Sequence, residues 1–305
     1  MKLLTIFTPT YNRKHTIERT YQSLVRQTCK DFEWLIIDDG STDDTETIVR
    51  EWQNNDCGFK IRYVYQQNQG MHGAHNTAYD HITTELNTCI DSDDYMPTDA
   101  VEKIVRLWKS LSIEDKERYA GIIGLDIDDG HHKVIGSMFP SQLKETTLSA
   151  FYANGGTGDK KLVYRTEVVN KYPRYPVFEG EKYVGLASLY TLIDQDYRLV
   201  VLNDPLVVVD YQPDGSSFNM YRQYWNNPKG FCYLRKIDMR YALSFKRKFV
   251  SCIHYVSSSI RCRNRNFLRE SPKPILTFLA IPFGVLLYGF IRKKVLSNSQ
   301  YRFNK

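Results

Sequence analysis

Four short apolar runs, separated by stretches of helical spacing, restrict the first hundred residues more than any other feature of the chain. The runs are 3–8, 32–37, 61–65 and 86–90, and the helical stretches between them are 16–27, 45–52 and 73–82. Pro9 is expected to end the first run. Strands alternating with helices of this length imply a parallel sheet with right-handed crossovers. Ligands of such sheets collect beyond the carboxyl ends of the strands. Three of those ends carry polar clusters, at 8–13, 38–41 and 91–94. Any one of them reads as an ordinary turn, since Asp, Asn, Ser and Gly are turn formers. Three on one sheet edge point to a bound ligand. With 305 residues, 42% of them hydrophobic, and only 17 Gly and 11 Pro, the chain is long and apolar enough for a packed core, and disordered or collagen-like classes are excluded.

The rest of the chain is less regular. Residues 122–126 and 199–209 read as strands and 183–192 as a helix, while Gly155-Gly156-Thr157-Gly158 is a tight bend or a loop that approaches a ligand. Near residue 226 the charge changes sign. Residues 229–305 hold 17 Lys/Arg against 2 Asp/Glu, and residues 1–228 hold 24 against 33. This divides the chain into a catalytic domain over 1–225 and a basic, amphipathic, membrane-associating region over 226–305. Residues 231–256 form one amphipathic basic helix or two. Residues 275–291 are uncharged and followed by Arg292-Lys293-Lys294. A spanning helix needs about 20 apolar residues, so this run is expected to lie in the interface of an anionic leaflet. The competing reading is a buried hairpin with a solvated basic face. The six cysteines show no CxxC pair and no zinc spacing, and the N-terminus shows no secretory pattern, so reduced thiols in a cytoplasmic protein are expected.

The chemistry begins at Asp91-Ser92-Asp93-Asp94. Carboxylates this close stay ionised together most readily around a cation. An all-oxygen set favours Mg²⁺ or Mn²⁺, whose shell substrate phosphates would complete. That implies a nucleotide substrate. Alternatively, Asp93 or Asp94 caps a helix near 99–110. Asp38-Asp39-Gly40-Ser41-Thr42-Asp43 would supply acceptors for a base or ribose edge. There is no Walker A sequence and no GxGxxG after a strand, so the phosphates need a metal ion and scattered donors.

Thr8-Pro9-Thr10-Tyr11-Asn12-Arg13, Asp38 to Asp43, Asn68-Gln69-Gly70 with Gly73-Ala74-His75-Asn76, and Asp91 to Asp94 follow one another in an order and spacing that resembles the family 2 glycosyltransferases. Weaker similarity continues through 155–165, 178–182 and 210–216. The resemblance implies an α/β GT-A fold, with a Rossmann-like, mainly parallel sheet flanked by helices, and metal-dependent transfer of a sugar from a nucleoside diphosphate with inversion. It implies a nucleotide-sugar pocket of Thr8, Pro9, Tyr11, Arg13, Asp38, Asp39, Gln69, Gly70, Asn76, Asp91 and Ser92, with Asp91 and Asp93 holding Mn²⁺ or Mg²⁺. Where the family often has Ala-Arg-Asn, this chain has Ala74-His75-Asn76. His72 and His81 are read as structural.

Inversion needs a general base on the acceptor side. The segment matching the family's base motif is Phe178-Glu179-Gly180-Glu181-Lys182, which puts Glu181 first and Glu179 second. Two surface glutamates at a helix start are the competing reading. Asp159 is expected to contact the donor sugar, and Tyr175, Phe178, Tyr183 and Trp225 are candidates for an acceptor groove. The expected reaction is transfer from a nucleotide sugar, most readily a UDP-sugar, to a lipid-linked oligosaccharide in capsule, O-antigen or exopolysaccharide synthesis, by a protein peripheral on the inner face of the cell membrane. A sugar nucleotidyltransferase would carry a glycine-rich phosphate loop where 8–13 has no glycine. A nucleic-acid partner suits the tail poorly, because its basic residues alternate with a long apolar run. The intact aspartate cluster weighs against a scaffold without activity.

Overall fold

Every residue of β1 (Leu4–Thr10) is buried, as expected of a strand covered on both faces. β2 (Phe32–Asp38) pairs parallel with β1 from Leu4↔Phe32 to Thr10↔Asp38. β3 (Ile61–Tyr65) extends the sheet beyond β2, and β4 (Leu86–Cys89) pairs with the other side of β1. The crossovers are α1 (Lys14–Val25), α2 (Thr45–Gln53) and α3 (Met71–His81). The computed structural model describes residues 2–211 and 220–303, with side chains as far as 297.

Contrary to the sequence expectation, Pro9 lies inside β1. Thr10 accepts an N–H from Asp39, after β2, and Phe7 accepts one from Ile90, after β4. Alternate residues of the strand bond to opposite neighbours, so Pro9 turns its missing donor towards β4. Pairing on that side ends at Phe7↔Cys89, just short of Pro9, while the ladder to β2 runs on to Thr10↔Asp38.

The order β3-β2-β1-β4 reverses at β1. The chain builds outward on one side of this strand and then returns to the other, leaving a crevice beyond the carboxyl ends of β1 and β4. Residues 8–13 and 91–94 stand at those two ends. After β4 come α4 (Ala100–Ser110), α5 (Ile113–Arg118), β5 (Tyr119–Asp128), β6 (Glu145–Thr146), α6 (Leu148–Ala153), β7 (Lys160–Arg165) and α7 (Thr166–Asn170). α4 buries Ala100, Val101, Ile104, Val105 and Trp108, one stripe at helical spacing. β7 enters between β4 and β5, antiparallel to both, and was not legible in the sequence. β8 (Arg198–Val209) runs parallel to β5 and pairs with β6 on its other side. The eight-stranded sheet is thus mixed, with its parallel part where the motifs fall. Its core includes a stack of Tyr21, Trp52 and Trp34, with Tyr21 and Trp52 at 4.4 Å between ring centroids.

Packing divides the chain into two compact units, Met1–Arg174 with Asp196–Tyr211, and Tyr175–Gln195 with Gln212–Lys305. The second is helical: α8 (Ala187–Ile193), α9 (Met220–Asn226), α10 (Pro228–Tyr241), α11 (Phe245–Arg261), α12 (Phe267–Glu270) and α13 (Pro274–Phe303). This division differs from a boundary at 225, because 175–195 groups with the later helices. The basic stretch 231–256 falls into two helices, and the Ser244 side chain caps the second by accepting the Arg247 N–H at 3.2 Å. All six cysteines are free thiols.

At Gly121, β5 and β7 approach too closely to leave room for a side chain. Its φ is +149°, and a Cβ there would fall 1.9 Å from the Val163 carbonyl oxygen. Backbone cannot yield as a side-chain tip can. Gly121→Ala is therefore expected to destabilise the fold by about 2–4 kcal/mol, read by urea denaturation.

Candidate active site

Beyond β4 the chain turns sharply, with the Asp94 N–H donating to the Asp91 carbonyl at 3.0 Å. The turn gathers one carboxylate oxygen each from Asp91, Asp93 and Asp94 within 4.8 Å of one another. Asp91 and Asp93 are half-buried, whereas Ser92 and Asp94 are buried. Asp94 faces inward, its Oδ1 accepting the Asp210 N–H at 3.1 Å. None of these residues caps α4; Asp99 occupies that position and makes no side-chain capping bond. The capping alternative for Asp93 and Asp94 is thereby overturned.

Burial, reinforced by the charge of Asp91, pushes the Asp94 carboxyl up to about 8 and raises that of Asp93. Burial also lifts Asp126, on β5, to about 6. Against them stands Lys161, at the start of β7, whose Nζ donates to the Cys89 carbonyl at 3.0 Å. Burial opposes its charge, but Asp126, Asp91 and Asp94 outweigh that, and its pKa is raised. Three oxygen donors that repel one another, two of them partly open, fit a hard divalent cation.

Arg19 straps the turn in place from α1. Its guanidinium donates to the Asp93 carbonyl at 2.7 Å, to Asp210 Oδ2 at 2.6 Å and to Asp129 Oδ2 at 3.2 Å. Asp129 in turn accepts the Tyr95 hydroxyl, and Thr20 donates to the Asp94 carbonyl at 2.7 Å. Neither Arg19 nor Lys161 was singled out from the sequence. Their spacing reads as solvated charge, and only the fold brings them to the aspartates.

The residues expected around a nucleotide have several different tasks. Thr8 is in the core, accepting the Trp34 indole N–H at 2.9 Å, and Pro9 is buried beside it in β1. Tyr11 is exposed, and the charge of Arg13 partly opposes the rise in the Asp93 pKa that burial and Asp91 cause. Asp38 accepts the Tyr63 hydroxyl and the Ser41 N–H, both at 2.7 Å. Asp39 accepts the Gln69 and Gly70 N–H groups at 2.8 and 2.7 Å and the Gln66 amide at 2.6 Å. The acidic pair therefore shapes the loops around it. Asn76 lies on α3, half-buried. His75 is buried edge-on to Phe7, and burial lowers its pKa to about 3, so it is neutral and cannot replace an arginine's charge. The loop before β7 is held by Lys160, whose Nζ donates to the carbonyls of Ile135, Thr157 and Asp159 at 3.0 Å each. Asp159 accepts a long bond from the Tyr211 hydroxyl at 3.4 Å. Residues 212–216 of the last motif lie outside the described residues.

In the helical unit, Glu181 is buried, and its two oxygens accept the Lys229 and Gly230 N–H groups at 3.0 and 2.9 Å. These are orphan donors in the first turn of α10, which opens at Asn227-Pro228. Asn227 reciprocates by accepting the Lys182 N–H. Glu181 thus has a structural task, while Glu179 is exposed on the adjoining turn. Of the aromatic candidates, Tyr175 is buried with its hydroxyl on the Leu186 carbonyl, Tyr183 stacks on Phe231, and Trp225 stacks on Tyr288.

Solved structures share this architecture. Staphylococcus aureus TarS 1–349, in complex with UDP-GlcNAc, superposes with a TM-score of 0.62 at 19% identity, over 92% of this chain and 79% of that one. The fold is GT-A. The sequence model of Glycosyl transferase family 2 matches residues 5–158, half of the chain, and the protein belongs to that family. An uncharacterized glycosyltransferase of Nostoc sp., alr2836, is 29% identical over 181 residues, which are 57% of this chain and 54% of that protein. Escherichia coli WfgD, a UDP-Glc:α-D-GlcNAc-diphosphoundecaprenol β-1,3-glucosyltransferase, is 25% identical over 217 residues, covering 71% of this chain and 79% of WfgD. The chain thus spans about half the length of the Nostoc relative.

The raised carboxyls make the site's stability pH-dependent. Because the folded pKa of Asp94 lies above its unfolded value, the metal-free fold loses that stability as pH rises from about 4 to about 8. A divalent ion needs the ionised form and relieves the repulsion. Mn²⁺ is therefore expected to raise Tm more at pH 8 than at pH 6, and Asp93→Asn to remove most of that increment in thermal-shift measurements.

Proposed function

We propose that this glycosyltransferase moves a sugar, with inversion, from a UDP-sugar to a hydroxyl of a lipid-linked oligosaccharide in bacterial surface-polysaccharide synthesis. Its place is the cytoplasmic face of the cell membrane, with 226–305 as the membrane-facing part. The observation that carries the reading is the cluster of Asp91, Asp93 and Asp94 beside the switch point of the parallel sheet. The donor named for TarS and the donor and acceptor named for WfgD support the substrate classes.

Asp91 and Asp93 would hold Mn²⁺ or Mg²⁺, since Asp94 is turned inward. A bound ion supplies neutralisation of the diphosphate as it leaves. The chain's own groups do the rest. Arg13, close to Asp93, adds positive charge to the same end of the pocket. Exposed Tyr11 offers a face to the base, and buried Asp38 holds the Ser41 turn and the Tyr63 hydroxyl beside it. Asp39 fixes the 66–70 loop, including Gln69 and Gly70, as the pocket wall. Lys161 offsets part of the rise in the Asp94 pKa and so favours its charged form.

The acceptor hydroxyl attacks the anomeric carbon as the bond to the diphosphate oxygen breaks, and its proton passes to a carboxylate. We assign that base to Glu179 ahead of Glu181. A carboxylate already accepting two backbone N–H bonds has less capacity for a third proton donor than one exposed on a turn.

Incubation with a panel of nucleotide sugars and Mn²⁺, followed by diphosphate release, tests the reading. Asp93→Ala is expected to abolish release. Glu179→Gln is expected to lower transfer by about 10²–10⁴-fold with UDP binding retained. Glu181→Ala should instead destabilise by about 1–2 kcal/mol through the lost cap. Full turnover by Glu179→Gln would return the base to another residue.

A further inference from the structure

α13 has two apolar faces, and among the described residues only one of them is covered. The covered face is a narrow strip in which Thr277, Ala280, Gly284 and Ile291 recur at helical spacing. It packs on α11 and α10. Ala280 joins Cys232, Met239, Cys252 and Tyr255 in one cluster, and the Thr277 hydroxyl lies 2.7 Å from that of Ser271. At Gly284 a Cβ would fall 2.5 Å from the Val256 side chain, so the two helices meet almost backbone to side chain. The opposite face presents Ile275, Phe278, Leu279, Phe283, Val285, Leu286 and Phe290, each between 46% and 80% exposed. It continues onto α11 through a chain of rings, with Phe283 against Phe249 at 5.9 Å and Phe249 against Phe245 at 6.4 Å. Phe245 and its neighbour Leu243 are themselves largely exposed.

Cations border this surface. Lys246 and Arg247 follow Phe245, Lys273 precedes α13, Arg292 and Lys293 are exposed further along it, and the Lys294 ammonium lies over the Phe290 ring at 5.8 Å. The two acids of 229–305 are already used, Asp238 by Arg235 at 2.9 Å and Glu270 by Lys236 at 2.8 Å. Little negative charge is left to offset the border.

Length alone would let α13 cross a bilayer. Its described part that qualifies by length, Pro274–Ser297, has 24 residues, roughly 36 Å at the helical rise, and the most apolar 18 of them have a mean hydropathy of 2.1. Its packing opposes a crossing. α11 runs beside it with Ser251, Ser257, Ser258 and Ser259 buried, and Ser251 bonds to Asp238 of the Arg235 pair. A crossing would draw these groups into hydrocarbon or strip them from α13. Apolar residues on one side, helical scaffold on the other and cations along the border fit immersion in a single leaflet.

We propose that the exposed face of α13, with Leu243 and Phe245, is a monotopic foot that embeds in one anionic leaflet without crossing it. The occupant is acyl chain beneath anionic headgroups, the first met by the phenyl and leucyl side chains and the second by Lys246, Arg247, Lys273, Arg292, Lys293 and Lys294. The assignment deepens the membrane-facing role proposed above and rests on it.

The test uses the full chain, carrying an epitope tag after Lys305, with sealed phosphatidylcholine vesicles prepared with or without phosphatidylglycerol. The protein is expected to sediment with the anionic vesicles, salt-sensitively, and its tag to be removed completely by protease added outside. Phe278→Glu and Leu286→Glu are each expected to weaken sedimentation roughly tenfold with Tm unchanged. Lys246→Gln with Arg247→Gln should abolish the preference for phosphatidylglycerol. A protected tag would mean a spanning helix and overturn the proposal, as would undiminished sedimentation of both glutamate variants. UDP binding by the detergent-solubilised wild type reports the donor site separately. Its loss with sedimentation intact would sink the enzymatic reading and leave the foot standing.

Discussion

Mutual repulsion among three carboxylates at the end of β4 is the constraint around which the catalytic unit is arranged. Asp91, Asp93 and Asp94 are confined to one turn, and burial makes the charges of Asp93 and Asp94 harder to keep. Left alone, such a turn would open or take up protons. Two cations counter these outcomes in part. Lys161 lies among the carboxylates, and Arg19 holds the Asp93 carbonyl and Asp210 from outside the turn. The site is thus set in shape before any substrate arrives, which is the condition for electrostatic catalysis.

The sheet explains why the turn is where it is. A parallel sheet that reverses its winding must leave a crevice at the reversal, and here it opens between β1 and β4. Beside it, the Asp38–Asp39 pair works on the protein before it works on a ligand. One carboxylate gathers Tyr63 and Ser41, and the other gathers Gln66, Gln69 and Gly70. Two consecutive acidic residues therefore fix the loops on either side of them, and their sequence signature reflects loop construction.

The sequence made the first four strands and three helices legible, because each is a local pattern of period or composition. The aspartate cluster was legible too, since its members are neighbours in the chain. β7 was not: it opens with Lys160-Lys161, which mask its apolar residues, and its partners β4 and β5 are set by topology. Pro9 read as a strand end because a missing donor is costly in general, and only the register shows that pairing stops short of it on the β4 side alone while β2 pairs on past it. Arg19 and Lys161 were illegible for a related reason. A charge on a helix or strand reads as solvated until the fold shows what faces it. The two glutamates of 178–182 were found as a pair, but their division of labour depends on α10, about fifty residues downstream.

That dependence bears on how the chain could have been assembled and how it can be taken apart. Residues 175–195 belong with the helices although they precede β8, so the path leaves the sheet, contributes to the helical unit and returns to lay down one more strand. The two units are interleaved along the polypeptide, unlike beads on a string. Clipping the tail at residue 225 would leave Glu181 holding the start of a helix that no longer exists. Loss of transfer after such a cut would therefore say nothing about the membrane, and single-residue changes on the surface are the cleaner dissection.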